Sequence, residues 1–410
     1  MADIQNIDYC RGDFPVLSEK MNGKPLAFLD TASSAQKPRV VIDAVNGVLS
    51  HSYANIHRGL YHFSQVTTQE YEAVRGKVAD FINAYSEREI VFTRNTTEAI
   101  NLVAQSWGAG NLKDGDEIIL TAMEHHANIV PWQLLQDRIK FTIRVVPVFE
   151  NGTLDFEAFQ NLLSDKTKLV GVVHASNALG TVNPVSCISK AAKAFNPAIR
   201  VLADASQSAV HGGVDVRKLD CDFLTLTGHK LYGPTGAGAL WAKEDLLNAM
   251  RPYQGGGDMI ERVSFEGTTY KSAPARFEAG TPAIVEVIGL GAAIDYIRTV
   301  GQANIAAHEK RLLDIMTREV SKIDGIKLYG SAQEKVGIVS FTAAWAQSSD
   351  IAMILDKQGV AVRVGHHCCM PLMRSFGIDG TIRASLGLYS NENDINALVQ
   401  GLKKAGELLA

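Results

Sequence analysis

The chain has 410 residues, 46% of them hydrophobic and 20% charged, with a formal net charge of −4. Such a length exceeds what one hydrophobic core supports, so two domains are expected, and the charge gives no reason to expect nucleic acid or an anionic membrane as partner. No apolar run approaches the roughly 18 residues of a membrane span, and the start, Met1-Ala-Asp-Ile-Gln-Asn-Ile-Asp8, lacks the basic and apolar regions of a signal peptide.

From about residue 90 short β-branched runs alternate with helical patterns. The pattern predicts strands at Ile90–Thr93, Glu117–Leu120, Arg144–Val148, Leu169–His174, Val201–Asp204, Phe223–Thr227 and Gly238–Ala242. It predicts helices at Thr97–Trp107, Phe156–Leu163, Ile188–Ala194 and Lys243–Met250. Near-continuous apolar strands suit a mostly parallel sheet covered on both faces, hence a doubly wound α/β domain with its functional groups at the carboxyl ends of strands. Loops rich in Gly follow at Gly255-Gly-Gly257 and Glu278-Ala-Gly-Thr-Pro282, then a long helical pattern from Ile284 to about Val300. The expected division is a large α/β domain over 23–284 and a smaller α+β domain from 1–22 and 285–410.

Residues suited to chemistry stand at these strand ends. Arg94-Asn-Thr-Thr-Glu98 follows a strand and opens a helix, so Thr96 and Thr97 either receive an anion at free backbone N–H groups or mark an ordinary N-cap. In Met123-Glu-His-His-Ala-Asn128, His125 and His126 are placed to stack on a ring or move protons; the spacing is not that of helical zinc hydrolases. Asn177 ends the next strand, where it either binds a ligand or caps a turn.

Asp204 ends the strand Arg200–Asp204, with Gln207 three residues on, and Lys230 lies in the turn Gly228-His-Lys-Leu-Tyr-Gly-Pro-Thr-Gly236. Lysine and aspartate at neighbouring strand ends are what pyridoxal phosphate (PLP) requires: an amine to hold its aldehyde as a Schiff base, and a carboxylate to keep its ring nitrogen charged. Thr227 and His229, beside the lysine, add donors for a phosphate.

A second centre is Arg363-Val-Gly-His-His-Cys-Cys-Met-Pro371. Four consecutive His and Cys residues cannot all turn toward one ion, so no metal is expected there. Adjacent Cα atoms, about 3.8 Å apart, are also too close for a normal disulfide. A reactive thiol at Cys368, its thiolate favoured by Arg363 or a protonated His, is the expectation; Cys10, Cys187 and Cys221 are read as buried structural thiols. Five scattered cysteines point to a reducing compartment, the cytoplasm. Arg383, in Thr381-Ile-Arg-Ala-Ser-Leu386, suits bidentate binding of a carboxylate or a surface ion pair.

Together these motifs resemble the PLP-dependent cysteine desulfurases of fold type I, specifically the Suf-type branch close to selenocysteine lyases. The resemblance spans the chain, from Asp13-Phe-Pro-Val-Leu17 and Leu29-Asp-Thr-Ala-Ser33 through Asn55-Ile-His-Arg58 to Arg383-Ala-Ser385. It implies that Lys230 binds the cofactor and shuttles protons, that Asp204 partners the ring nitrogen, and that Gln207 donates to the phenolic oxygen. It implies His125 stacked on the ring; Thr97, Thr227 and His229 around the phosphate, which the helix start at Thr96 also suits; and Thr281 reaching the phosphate of a second subunit in a homodimer. Asn177 and Arg383 would bind the carboxylate of L-cysteine or L-selenocysteine, with Arg363 at the mouth. Cys368 would become a persulfide and discharge to a sulfur-acceptor protein, for iron–sulfur cluster assembly. One departure is Cys369, where the family usually carries a small residue such as Ala; it is read as filling that space.

Overall fold

A computed structural model describes residues 6–409; the first five residues, most of the stretch read for a signal peptide and the outer edge of the small domain, lie outside the described residues, as does Ala410. The seven expected strands form as β1 Ile90–Thr93, β2 Glu117–Thr121, β3 Thr142–Val146, β4 Thr167–Val173, β5 Arg200–Asp204, β6 Phe223–Thr227 and β7 Gly238–Ala242. They make one seven-stranded sheet in the order β1-β7-β6-β5-β4-β2-β3. β2 through β6 pair in parallel, and β7 runs antiparallel between β1 and β6.

Alternate residues of each strand enter opposite apolar layers, as a period of two demands. Ile119, Val170, Val201, Leu224 and Trp241 join one core, and Ile118, Leu169, Leu202, Phe223 and Leu240 the other. Helix layers therefore cover both faces. The helix expected at Thr97–Trp107 starts at Thr96 and runs, through a wider-turned stretch from Val103 to Gly108, as far as Asn111.

The C-terminal part has its own four-stranded antiparallel sheet: β8 Ile326–Tyr329, β9 Ile338–Ala343, β10 Arg363–Gly365 and β11 Thr381–Ser385, in the order β8-β9-β11-β10. Leu312, Phe341, Leu355, Ile382 and Leu398 form its core, with helices Gln302–Ser321, Ser348–Lys357 and Glu392–Leu409 packed on the sheet. Helix Ile284–Val300, at whose start the expected domain boundary falls, buries Ile284, Val287, Leu290, Ile294 and Ile297 in the core of the large sheet. The N-terminal stretch Ala27–Phe28 pairs in parallel with Val360–Ala361, which brings residues 29–33 to the seam between the two sheets. Cys10 and Cys221 are buried, but Cys187 is exposed, a correction: it lies on the outward face of helix Val185–Phe195, whose Val185 and Ile188 face inward.

Candidate functional site

The carboxyl ends of the parallel strands open into a cavity of about 470 Å³ between the two sheets. Asp204 ends β5, Thr227 ends β6, and a tight helical turn, Gly228–Lys230, follows at once. Only glycine fits at 228, because a Cβ there would sit 2.9 Å from the Ala237 carbonyl oxygen. Lys230, Asp204, Gln207, Thr96, Thr97, Thr227, His229, His125, Asn177, Arg363, Cys368 and Arg383 all line the cavity. Thr281 does not. It lines a separate pocket of about 500 Å³ beside Arg94 and Glu98.

Burial pushes the Lys230 ammonium down to about 8, against the opposing pull of Asp204. Burial, reinforced by Lys230, holds His125 down to about 4, and His229 is likewise lowered to about 4, so both rings are neutral near pH 7. Asp204 Oδ1 accepts from the Ser206 backbone N–H (2.9 Å) and hydroxyl (2.6 Å). Ser206 in turn bonds the Thr96 hydroxyl at 2.8 Å, so what Thr96 still offers an anion is its N–H at the start of the helix.

The thiol loop begins at Gly365, whose φ of +120° no side-chain-bearing residue adopts readily, and turns through His367 and Cys368 at φ +50° and +57°. Three hydrogen bonds to two residues, His126 and Asn177, pin it. The His126 N–H donates to the Cys368 carbonyl oxygen (2.8 Å), the Met370 N–H donates to His126 Nε2 (3.1 Å), and Asn177 Nδ2 donates to the His367 carbonyl oxygen (2.7 Å). The two adjacent thiols part company here. Cys368 is exposed, whereas Cys369 is fully buried with Sγ donating to Asn177 Oδ1 at 3.2 Å. Burial, with Glu124 nearby, pushes the Cys369 thiol up to about 12, leaving it protonated at neutral pH.

Arg383 on β11 is 2% exposed and sits directly opposite Arg363 on β10. Two guanidinium groups in register repel unless something lies between them. Asp30 does: Arg363 Nη2 and Nε reach its two oxygens at 2.8 and 3.1 Å, and Arg383 Nη2 reaches Oδ1 at 3.2 Å. Arg383 Nη1 also donates to the Asn177 carbonyl oxygen at 2.8 Å. The Asn177 side chain is thus committed to the thiol loop and its backbone to Arg383.

A family model for aminotransferase class-V matches residues 27–398. A cysteine desulfurase of Cronobacter sakazakii is 48% identical over 405 residues, 98% of this chain and 99% of the relative. Solved structures of cysteine desulfurases from Escherichia coli, in an S-sulfonic acid form, and from Thermococcus onnurineus NA1, in an apo form, both superpose with a TM-score of 0.92. They are 35% and 36% identical, and the match covers 100% of this chain and 100% and 99% of theirs. This chain belongs to the cysteine desulfurases. It is a PLP-dependent enzyme with the fold of type I transferases, and PLP is its cofactor.

The desulfurase cavity fits that group on its own evidence. Gln207 Oε1 and Thr227 Oγ1 are buried polar atoms with no hydrogen-bond partner among the described residues, and both residues line the cavity beside Lys230. Such orphans are costly unless a ligand satisfies them. A buried amine of lowered basicity, a buried carboxylate and a helix start complete what the aldehyde, ring nitrogen and phosphate of PLP require.

Three residues of the site carry no role in the sequence reading. Asp30 links the two arginines; it stands in the quoted motif Leu29-Asp-Thr-Ala-Ser33, but its partners are more than 330 residues away. Ser206 joins Asp204 to Thr96, and its place two residues after a strand-end aspartate was the available signal. Glu124 is buried and raised to about 7 by burial, while Thr121, Asn128 and the Val173 N–H donate to it, tying β2 to β4 below His125.

Proposed function

We propose that the enzyme is a Suf-type desulfurase that converts L-cysteine to L-alanine and leaves the sulfur on Cys368 as a persulfide. The observation that carries this reading is that Lys230, the buried Arg383 and the exposed Cys368 line one cavity. Bound PLP supplies the electron sink that makes the substrate's carbon–sulfur bond labile. Arg383, with Arg363 at the mouth, binds the substrate carboxylate; its buried Nε has no partner among the described residues. Lys230 moves the proton at the substrate α-carbon, for which an amine near 8 is suited. The Cys368 thiolate attacks the substrate sulfur: a sulfur–sulfur bond forms, the carbon–sulfur bond breaks, and protonation at the former sulfur-bearing carbon yields alanine. His125 packs on the ring; Gln207, Asp204, Thr96, Thr97, Thr227 and His229 hold its polar groups.

The loop is short and pinned, so an acceptor protein must come to Cys368 for the sulfur; its use in iron–sulfur cluster assembly is what the resemblance to the Suf-type branch implies. A homodimer belongs to the same proposal: Leu60, Tyr61 and Phe63 expose large apolar surfaces, and Thr281 is free to face a second copy from outside the cavity. So do the cytoplasm, suited to free thiols, and a two-domain chain with one domain built on each of the two sheets. Among the described residues no helix is long and apolar enough to cross a membrane.

The test is release of sulfide and alanine from cysteine, with and without an acceptor protein, and with selenocysteine in parallel. Equimolar alanine and transferable sulfur are expected. Turnover of selenocysteine alone would make the enzyme a dedicated selenocysteine lyase, and no turnover of either would leave a scaffold.

A further inference from the structure

We propose that Cys368, His366 and His126 form a binding site for a thiophilic metal ion, which parks the nucleophile when occupied. One ligand atom from each residue lies within 4.8 Å of the others. Adjacent residues could not build such a set, but these do not have to. His366 and Cys368 are two apart in the turned loop, and the third ligand, His126, comes from the loop after β2, its ring tilted by 35° against that of His366 with centroids 5.5 Å apart.

The histidines already present lone pairs. His366 Nδ1 accepts the Cys368 N–H at 3.0 Å and His126 Nε2 accepts the Met370 N–H at 3.1 Å, and an accepting ring nitrogen carries no proton. An ion would replace two weak hydrogen bonds with coordination bonds at nitrogens aimed into the thiol loop. Tetrahedral zinc, with bonds of about 2.0–2.3 Å, sets its ligands roughly 3.3–3.6 Å apart, so the exposed loop need close by only about an ångström. A fourth position stays open to water or to a substrate thiol. Two imidazoles and a thiolate, with no oxygen ligand among them, select the softer, thiolate-binding class: Zn²⁺, Cd²⁺ or Cu⁺.

PLP-loaded enzyme, free of cysteine, is incubated with Zn²⁺ and desalted, then assayed for bound metal and for the rate of Cys368 alkylation. Exposed Cys187 is the internal control. The expected result is one ion per chain, Cys368 alkylation slowed at least tenfold and restored by EDTA, and Cys187 unaffected. Cys368→Ser, His126→Ala and His366→Ala should each lose the bound ion while retaining the PLP absorbance that shows a folded site. No bound zinc, undiminished zinc in Cys368→Ser, or unchanged alkylation with zinc bound overturns the proposal. Because it rests on Cys368 as the nucleophile, persulfide formation is measured separately in chelator, so the two readings fail independently.

Discussion

The cofactor side of the cavity is held by the carboxyl ends of β1, β2, β5 and β6, so Thr96, His125, Asp204 and Lys230 are placed by sheet register and buried strands. The thiol side hangs from a separate antiparallel sheet and is held by pairs of hydrogen bonds to distant residues: His126, Asn177 and Asp30. The first side is a rigid template whose loss ends all chemistry. The second is a set of replaceable tethers, where one change should alter binding or sulfur transfer and leave the cofactor in place. The contrast teaches that the two functions of the enzyme can be separated by mutation.

The largest effect should come from Lys230→Ala, expected to lower turnover by roughly 10³-fold or more, since no other lysine among the described residues lines the cavity. Borohydride reduction of the loaded wild type followed by peptide mapping should label Lys230. The apoprotein gives a finer check. Burial lowers this amine to about 8, so its neutral, reactive form gains as pH rises through that value, and PLP capture should accelerate with it. A flat capture rate across that range would contradict the assignment.

Arg383→Ala should spare PLP absorbance and raise KM for cysteine, because losing a desolvated charge pair costs about 2–5 kcal/mol. An unchanged KM would make Arg383 structural. Smaller again is Asp30→Asn, which leaves Arg363 and Arg383 in register with no anion between them. Thermal unfolding should show a loss of about 1–3 kcal/mol and pre-steady-state kinetics a slower sulfur-transfer step, with cofactor capture unaltered. Equal damage to both sides of the cavity would erase the distinction between them. Cys369→Ala should do least: the side chain is fully buried and its thiol protonated, so desulfurase activity should be mostly retained.

The same contrast explains what the sequence makes legible. Strands such as Phe223–Thr227 are readable because every residue is buried and alternate ones enter two apolar layers. Helix His62–Phe81 is not, since its buried face includes Ser64, Thr67 and Arg75 and breaks the apolar period. Lys230 and Asp204 carry local signals, a strand end and a glycine-rich turn. Asp30 carries none, because its meaning comes from arginines that only the folded chain brings to it. The expectation that Asn177 ends its strand is corrected: β4 stops at Val173 and Asn177 lies in the following turn, and its commitment to the thiol loop depends on where residue 367 arrives. Two neighbouring cysteines look equivalent as letters; a left-handed turn at Cys368 exposes one and buries the other.

Mass spectrometry of enzyme incubated with cysteine and alkylated at once shows which of the two thiols carries the sulfur. The added sulfur should sit on Cys368, and Cys368→Ala should keep the PLP spectrum and accumulate none. Sulfur on Cys369, or a dead Cys369→Ala beside an active Cys368→Ala, would shift the nucleophile by one residue and make the buried thiol the functional one.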